Sequence, residues 1–138
     1  MARYDTSGLD DIISMMDSMG ESAGELAEEM VQAACEEIKG AWKESAQRHG
    51  LVDTGDMIGS INYKVRPTHM AGVVYNEVYP QGKDRKGVRN AEKAFILHYG
   101  RSNFAATYWV DDADSIADPR VEAVIREKFE AYMASRGG

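Results

Sequence analysis

Between residues 22 and 66 the apolar period of the chain changes once, and the change is abrupt. From Ser22 to Arg48, Leu26, Met30, Ala33, Ala34, Ile38, Ala41 and Trp42 recur three and four residues apart. Glu25, Glu28, Glu29, Glu36, Glu37 and Glu44 fall mostly on the other side, which predicts an amphipathic helix. Lys39, Lys43 and Arg48 sit toward its C-terminal end, where the helix dipole favours cations, and His49-Gly50 is the stop. From Ile61 to Arg66 the period is two, with Ile61, Tyr63 and Val65 alternating against Asn62, Lys64 and Arg66, the pattern of a half-buried strand. Leu51 to Ile61 joins the two. Asp53 and Thr54 can accept hydrogen bonds from backbone N–H groups there, and Gly55 can take a positive φ. Asp56 can cap the turn that follows, and Met57 to Ile61 has the length of one short helical turn. A long helix that enters a sheet through a rigid corner restricts the chain to a layered α+β arrangement.

The remaining segments fit that arrangement. Ser7 is placed to cap a first helix over Leu9–Met19, with Leu9, Ile12, Ile13 and Met16 on its apolar face and Gly20 as its end. Pro67-Thr68-His69 reads as a turn and Met70 to Val78 as a second strand, so the two strands form an antiparallel hairpin. Pro80 to Arg89 has no apolar period and is expected to be a mobile surface loop. Asn90 is placed to cap a short helix from Ala91 to His98, with Gly100 as its end, and 101–106 reads as loop. Thr107 to Val110 reads as a short strand or the approach to a helix, and Asp111 to Ile116 as helical. Asp118-Pro119 has the form of a helix start, a cap followed by proline at the first position. Val121, Val124, Ile125, Phe129, Tyr132 and Met133 then form the stripe of a terminal helix. The expected fold is a small antiparallel sheet packed against a long N-terminal helix and a C-terminal helix. It forms a single domain over residues 1–138, with frayed ends at 1–6 and 135–138.

Candidate chemistry is sparse. Cys35 is the only cysteine, so the chain holds no intramolecular disulfide, and its place beside Ala33 and Ala34 reads as a small packed residue. His49, His69 and His98 show no metal-ligand spacing, and the glycines form no phosphate-cradling motif. Asp53 and Asp56 suit capping of the corner better than cation binding. A divalent-metal-dependent hydrolase or nuclease using Asp53, Asp56 and His98 stands as the enzymatic alternative. No apolar run reaches the ~20 residues that span a bilayer, and Met1 to Asp5 lacks the apolar core of a secretory signal, so the expected compartment is a cytoplasm. No cofactor is expected.

Charge is unevenly divided. Residues 1–60 carry 13 acidic against 4 basic side chains, residues 61–110 carry 3 against 8, and residues 111–138 carry 7 against 4. Lys83, Arg85, Lys86 and Arg89 make the 80–89 loop the most basic stretch. Head-to-tail docking between copies is open to such a chain, as is the plainer reading of solvated helix faces.

Three segments resemble a phage family. Val52-Asp53-Thr54-Gly55-Asp56-Met57 with Ser60-Ile61 is similar to a P-V-D-T-G-x-L-x-x-S-I corner that follows a long helix. Arg89-Asn90-Ala91-Glu92-Lys93-Ala94-Phe95-Ile96-Leu97-His98-Tyr99-Gly100 resembles an R-N-A-E-x-A-[FY]-I-x-E-[FY]-G segment. Ala105 to Val110, followed by Asp111-Asp112-Ala113, stands where that family has an A-R-P-[FW] step before the terminal helix. The chain departs from it at Leu51, His98, Arg101 and Thr107-Tyr108. The family is that of putative tail components, or neck and tail-completion proteins, of long-tailed bacteriophages, the gene-product-ten-like family. The resemblance implies a non-enzymatic virion protein that forms an oligomeric ring, helps join head to tail, and contacts connector, neck and tail proteins. DNA would pass through such a ring without sequence-specific binding, and no membrane is involved. Contact segments are then expected in the 80–89 and 101–108 loops, through Lys83, Arg85, Lys86, Arg89, Arg101 and Tyr108, with Asp53, Thr54, Gly55 and Asp56 as the structural corner.

Overall fold

A computed structural model describes residues 10–19, 24–51, 55–70, 73–91 and 109–135. Helix α1 spans Asp10–Met19, α2 Gly24–Arg48, α3 Asp56–Gly59 and α4 Trp109–Ser135. Strands β1 Ile61–Asn62, β2 Thr68–Met70, β3 Val73–Tyr75 and β4 Tyr79–Pro80 lie between α3 and α4. The fold is mixed helix and small antiparallel sheets, as the change of apolar period requires. No helix among the described residues is long and apolar enough to cross a membrane.

Helices α2 and α4 form the frame and run antiparallel. At one end the buried Ser45 hydroxyl donates to the Trp109 carbonyl at 2.5 Å, and His49 Nε2 lies 2.6 Å from Asp112 Oδ2. At the other end Leu26 and Met30 join Val121, Ile125 and Phe129 in one apolar cluster, which Ile12 of α1 closes. Arg126 Nη1 reaches Asp11 Oδ2 at 3.2 Å and ties α1 to α4. A second cluster gathers Cys35, Trp42 and Ala46 of α2, Met57 and Ile58 of α3, Ile61, Val78, Trp109 and Ala113. Trp42 and Trp109 meet edge to face there, with ring centroids 5.3 Å apart. Two buried indoles hide about 200 Å² each, so this contact is among the largest single contributions to the core. Alanines 34, 41, 46, 113 and 117 are all buried in the two clusters, which lets the helices approach closely.

The end of α2 follows from His49-Gly50. Gly50 has φ 69°, its N–H donates to Gln47 O at 3.0 Å, and Leu51 N–H donates to Ala46 O at 2.9 Å. This paired capping needs a left-handed residue and tucks Leu51 against the second cluster. A Cβ at Gly40 would meet nothing within 4 Å, so that exposed glycine serves no close approach.

Helix α4 corrects the sequence reading. Asp118-Pro119 does not start a helix: α4 begins ten residues earlier, and Pro119 stands inside it. The buried residues Trp109, Ala113, Ala117, Val121, Ile125 and Phe129 form an unbroken series at four-residue spacing that passes through the proline position. Pro119 itself is exposed, so burial along the other face outweighs the missing N–H.

The strands also differ from expectation. Ile61–Arg66 and Met70–Val78 do not pair as two continuous strands. Ile61 pairs with Pro80 and Asn62 with Tyr79, whereas Thr68, His69 and Met70 pair with Tyr75, Val74 and Val73. Five residues, 63–67, therefore face three, 76–78, and the two extra residues break one hairpin into two short ladders. The Ser7 cap, the helix beyond 91, the 101–108 loop and both chain ends lie outside the described residues.

Candidate interaction surface

The hairpin lies along α2, held by a polar stripe on that helix. Glu28 pairs with His69, and Gln32 Nε2 donates to Lys64 O at 3.1 Å and Val65 O at 2.9 Å. Tyr63 donates its hydroxyl to Glu36 Oε2 at 2.6 Å, and Lys39 Nζ lies 3.5 Å from Asn62 Oδ1. Positions 28, 32, 36 and 39 share one helix face. The glutamates expected on a solvated side thus include two that hold the hairpin. Burial, with the Glu36 carboxylate beside it, pushes the Tyr63 phenol up to about 12.

Where the ladder is interrupted, Asn76 takes the place of a partner strand. Its Oδ1 accepts the Lys64 N–H at 3.2 Å and the Glu77 N–H at 2.8 Å. Its Nδ2 donates to Lys64 O at 2.9 Å and to Gln32 Oε1 at 2.8 Å. One carboxamide thereby satisfies both backbone groups of Lys64, as a paired strand residue would.

The corner and the basic loop are joined. Gly55 has φ 83°, as a left-handed entry into α3 requires. Asp53 and Thr54 lie outside the described residues. The expected Asp56 cap of the following turn is not formed: Gly55 holds the cap position of α3, with no side-chain cap hydrogen bond. Asp56 Oδ2 accepts both the Arg85 backbone N–H and Arg85 Nε at 2.9 Å, and its Oδ1 accepts Arg85 Nη2 at 2.8 Å. The bidentate pairing fixes the loop against the corner.

The 80–89 segment, expected as a mobile loop without regular structure, has a hydrogen-bonded framework. Lys83 and Arg89 are opposite each other in an antiparallel bridge. Asp84 N–H donates to Val88 O at 2.7 Å, and the buried Asp84 carboxylate accepts the Lys86 and Val88 N–H groups, both at 2.9 Å. Gly87, at φ 84°, closes the turn by donating to Asp84 O at 3.0 Å. An Asp followed three residues later by Gly is a turn signature that periodicity cannot show. Asn90 shuts the base of this small hairpin: its N–H donates to Gly82 O at 2.9 Å and its Nδ2 to Gln81 O at 2.8 Å. Its buried Oδ1 has no partner among the described residues, and the helix it is expected to cap lies beyond them.

Lys83, Lys86 and Arg89 are exposed, and among the described residues no ion pair involving them is found. The exposed large apolar side chains of the described residues are Met15, Val65, Tyr75, Tyr79 and Val88. Four of these five belong to the hairpin and its basic extension, and Val65 is 92% exposed. Tyr75 and Tyr79 line a shallow recess of about 110 Å³ with Lys64, Thr68, Asn76 and Glu77. Tyrosine and arginine are among the residue types enriched at protein interfaces.

Arg101, Tyr108 and His98 lie outside the described residues, so of the trio Asp53, Asp56 and His98 only Asp56 is described, and both its oxygens are engaged by Arg85. Among the described residues no group of three His, Cys, Asp or Glu side chains converges on a metal position. Burial pushes the Cys35 thiol up to about 11, the state of a packed thiol and not of a nucleophile. A second recess, about 200 Å³, lies between Ser45, Arg48, His49, Asp112, Ser115 and Ile116. Its charged groups are committed within the chain, His49 to Asp112 and Arg48 to Glu44 at 2.7 Å. Comparison with family models, with curated proteins and with solved structures finds no match.

Proposed function

We propose that this chain is a structural assembly protein of a tailed phage or prophage, acting in the neck or tail-completion region as part of an oligomeric ring that joins head and tail. The reading rests on three sequence segments that resemble one phage family in the same order and at similar spacing. The corner segment supports it most directly, because Gly55 takes the left-handed conformation and a short helix leads into β1, the helix-to-sheet junction that such a corner encodes. The concentration of exposed apolar and basic side chains on the hairpin supports a role made of contacts rather than catalysis. The protein would be made in a bacterial cytoplasm and end in the virion, touching connector, neck and tail proteins and leaving DNA unread.

Peptide mass spectrometry of purified particles provides the test. The chain should be present in many copies per virion and should co-purify with the connector–tail junction when particles are dissociated. Intact infectious particles that contain none of it would end this reading.

A further inference from the structure

The 80–89 hairpin turns its acid inward and its bases outward. Asp84 is buried, Arg85 is folded onto Asp56, and Lys83 and Arg89 stand side by side on the outer face. Directly opposed residues of an antiparallel pair have Cβ atoms about 5 Å apart, and like charges there repel. Lys86, in the turn between Lys83 and Arg89, is also exposed.

Helix α4 carries the converse arrangement. Asp114, Asp118 and Glu122 follow one another at four-residue spacing on one stripe, with Asp118 and Glu122 exposed. Of the nearby helix cations, Arg120 Nη1 reaches Glu44 at 2.9 Å, and Arg126 reaches Asp11 while also lying in the field of Glu122. Burial, and after it the charges of Asp118 and Asp111, pushes the Asp114 carboxyl up to about 6.

We propose that the Lys83–Arg89 face of one copy docks on the Asp114–Asp118–Glu122 stripe of a second copy. The occupant follows from charge complementarity: two cations crowded on a rigid hairpin meet three acids crowded on a rigid helix, and each set relieves the repulsion in the other. The two surfaces are different, so the contact is head-to-tail and propagates, closing to a ring where the rotation permits. The inference rests on the assembly reading and names the surfaces that would carry it.

Reversal of charge on each face tests it. One variant carries Lys83→Glu with Arg89→Glu, the other Asp118→Lys with Glu122→Lys. Each is checked for native helix content by circular dichroism. In sedimentation velocity the native chain should self-associate, and the association should weaken as salt rises. Each variant alone should associate roughly 10-fold more weakly or worse, since like charges then face each other. An equimolar mixture should recover association, because every contact in it again pairs acid with base. Should either reversal misfold, the milder Lys83→Gln with Arg89→Gln variant must still weaken association. The proposal is overturned if the native chain stays monomeric at every salt and concentration, if the variants associate as well as the native chain, or if mixing restores nothing. Loss of binding to a short DNA duplex in the hairpin variant, with no recovery of association on mixing, would assign the patch to nucleic acid instead. Association without presence in virions would leave the docking standing and remove the phage role. Presence in virions with no rescue on mixing would do the reverse.

Discussion

The Asn76 carboxamide accepts from Lys64 N–H and donates to Lys64 O while also reaching Gln32, so one side chain repairs a gap of two residues in the ladder. Asn76→Ala should cost about 1–3 kcal/mol, because it orphans both Lys64 backbone groups and loosens the Gln32 tie. Chemical denaturation will measure the loss, and amide exchange at Lys64 should accelerate along with it. Asp56 joins segments 29 residues apart in the same way. Asp56→Ala is expected to lower stability by roughly 1 kcal/mol, the scale of a bidentate but half-exposed pair, and to raise amide exchange in the 84–88 turn. Neither partnership was readable beforehand. A lone Asn after a strand and an Asp in a turn both carry local explanations, and nothing in the order of residues marks a contact across 12 or 29 positions.

At the scale of elements, the long helices were legible because their apolar period is sustained. The pattern placed α2 over Ser22–Arg48 against the observed Gly24–Arg48, and α1 over Leu9–Met19 against Asp10–Met19. The same reasoning failed at Pro119, where the cap-then-proline rule is local and the four-residue series of buried side chains is not. Helix α4 holds despite the lost N–H, so the proline is a standing cost. Pro119→Ala should restore one backbone bond and raise stability by about 1–3 kcal/mol, visible as a higher midpoint in thermal melts followed at 222 nm. A fall in the midpoint would mean that a bend at this site is needed for α4 to follow α2. The strands were legible in type and antiparallel sense but not in extent. Alternation over Ile61–Arg66 says which residues face inward, not that 63–67 must close against only three partners.

For the molecule as a whole, the uneven charge seen in the sequence survives folding and becomes spatial: a basic hairpin surface and an acidic helix stripe. Part of it is spent internally, since Glu28 and Glu36 hold the hairpin on α2. The stripe makes stability depend on pH. A carboxyl with a folded pKa of about 6, against about 4 when unfolded, keeps its proton longer in the native state. Its contribution therefore falls as pH rises from about 4 to 6, and the deficit persists above that range. Asp114→Asn should stabilise the protein by about 1 kcal/mol at pH 7, after allowance for solvent screening, with the gain vanishing near pH 4. Paired melts of native and variant chains at the two values will show it, and an equal gain at both would locate the effect in packing instead.

The edge-to-face indoles at the junction of α2 and α4 have an optical consequence. The chain has two tryptophans, and both are in that one contact, each less than 5% exposed. Emission excited at 295 nm therefore reports a single place, where the helical frame meets the corner and β1. The exposed tyrosines of the hairpin do not contribute at that wavelength. Parting of the frame would redden the emission and erase the near-ultraviolet circular dichroism of the coupled rings, whereas events confined to the hairpin surface would leave both unchanged. The native chain thus carries its own label for telling a loosening of its frame from the engagement of its surface.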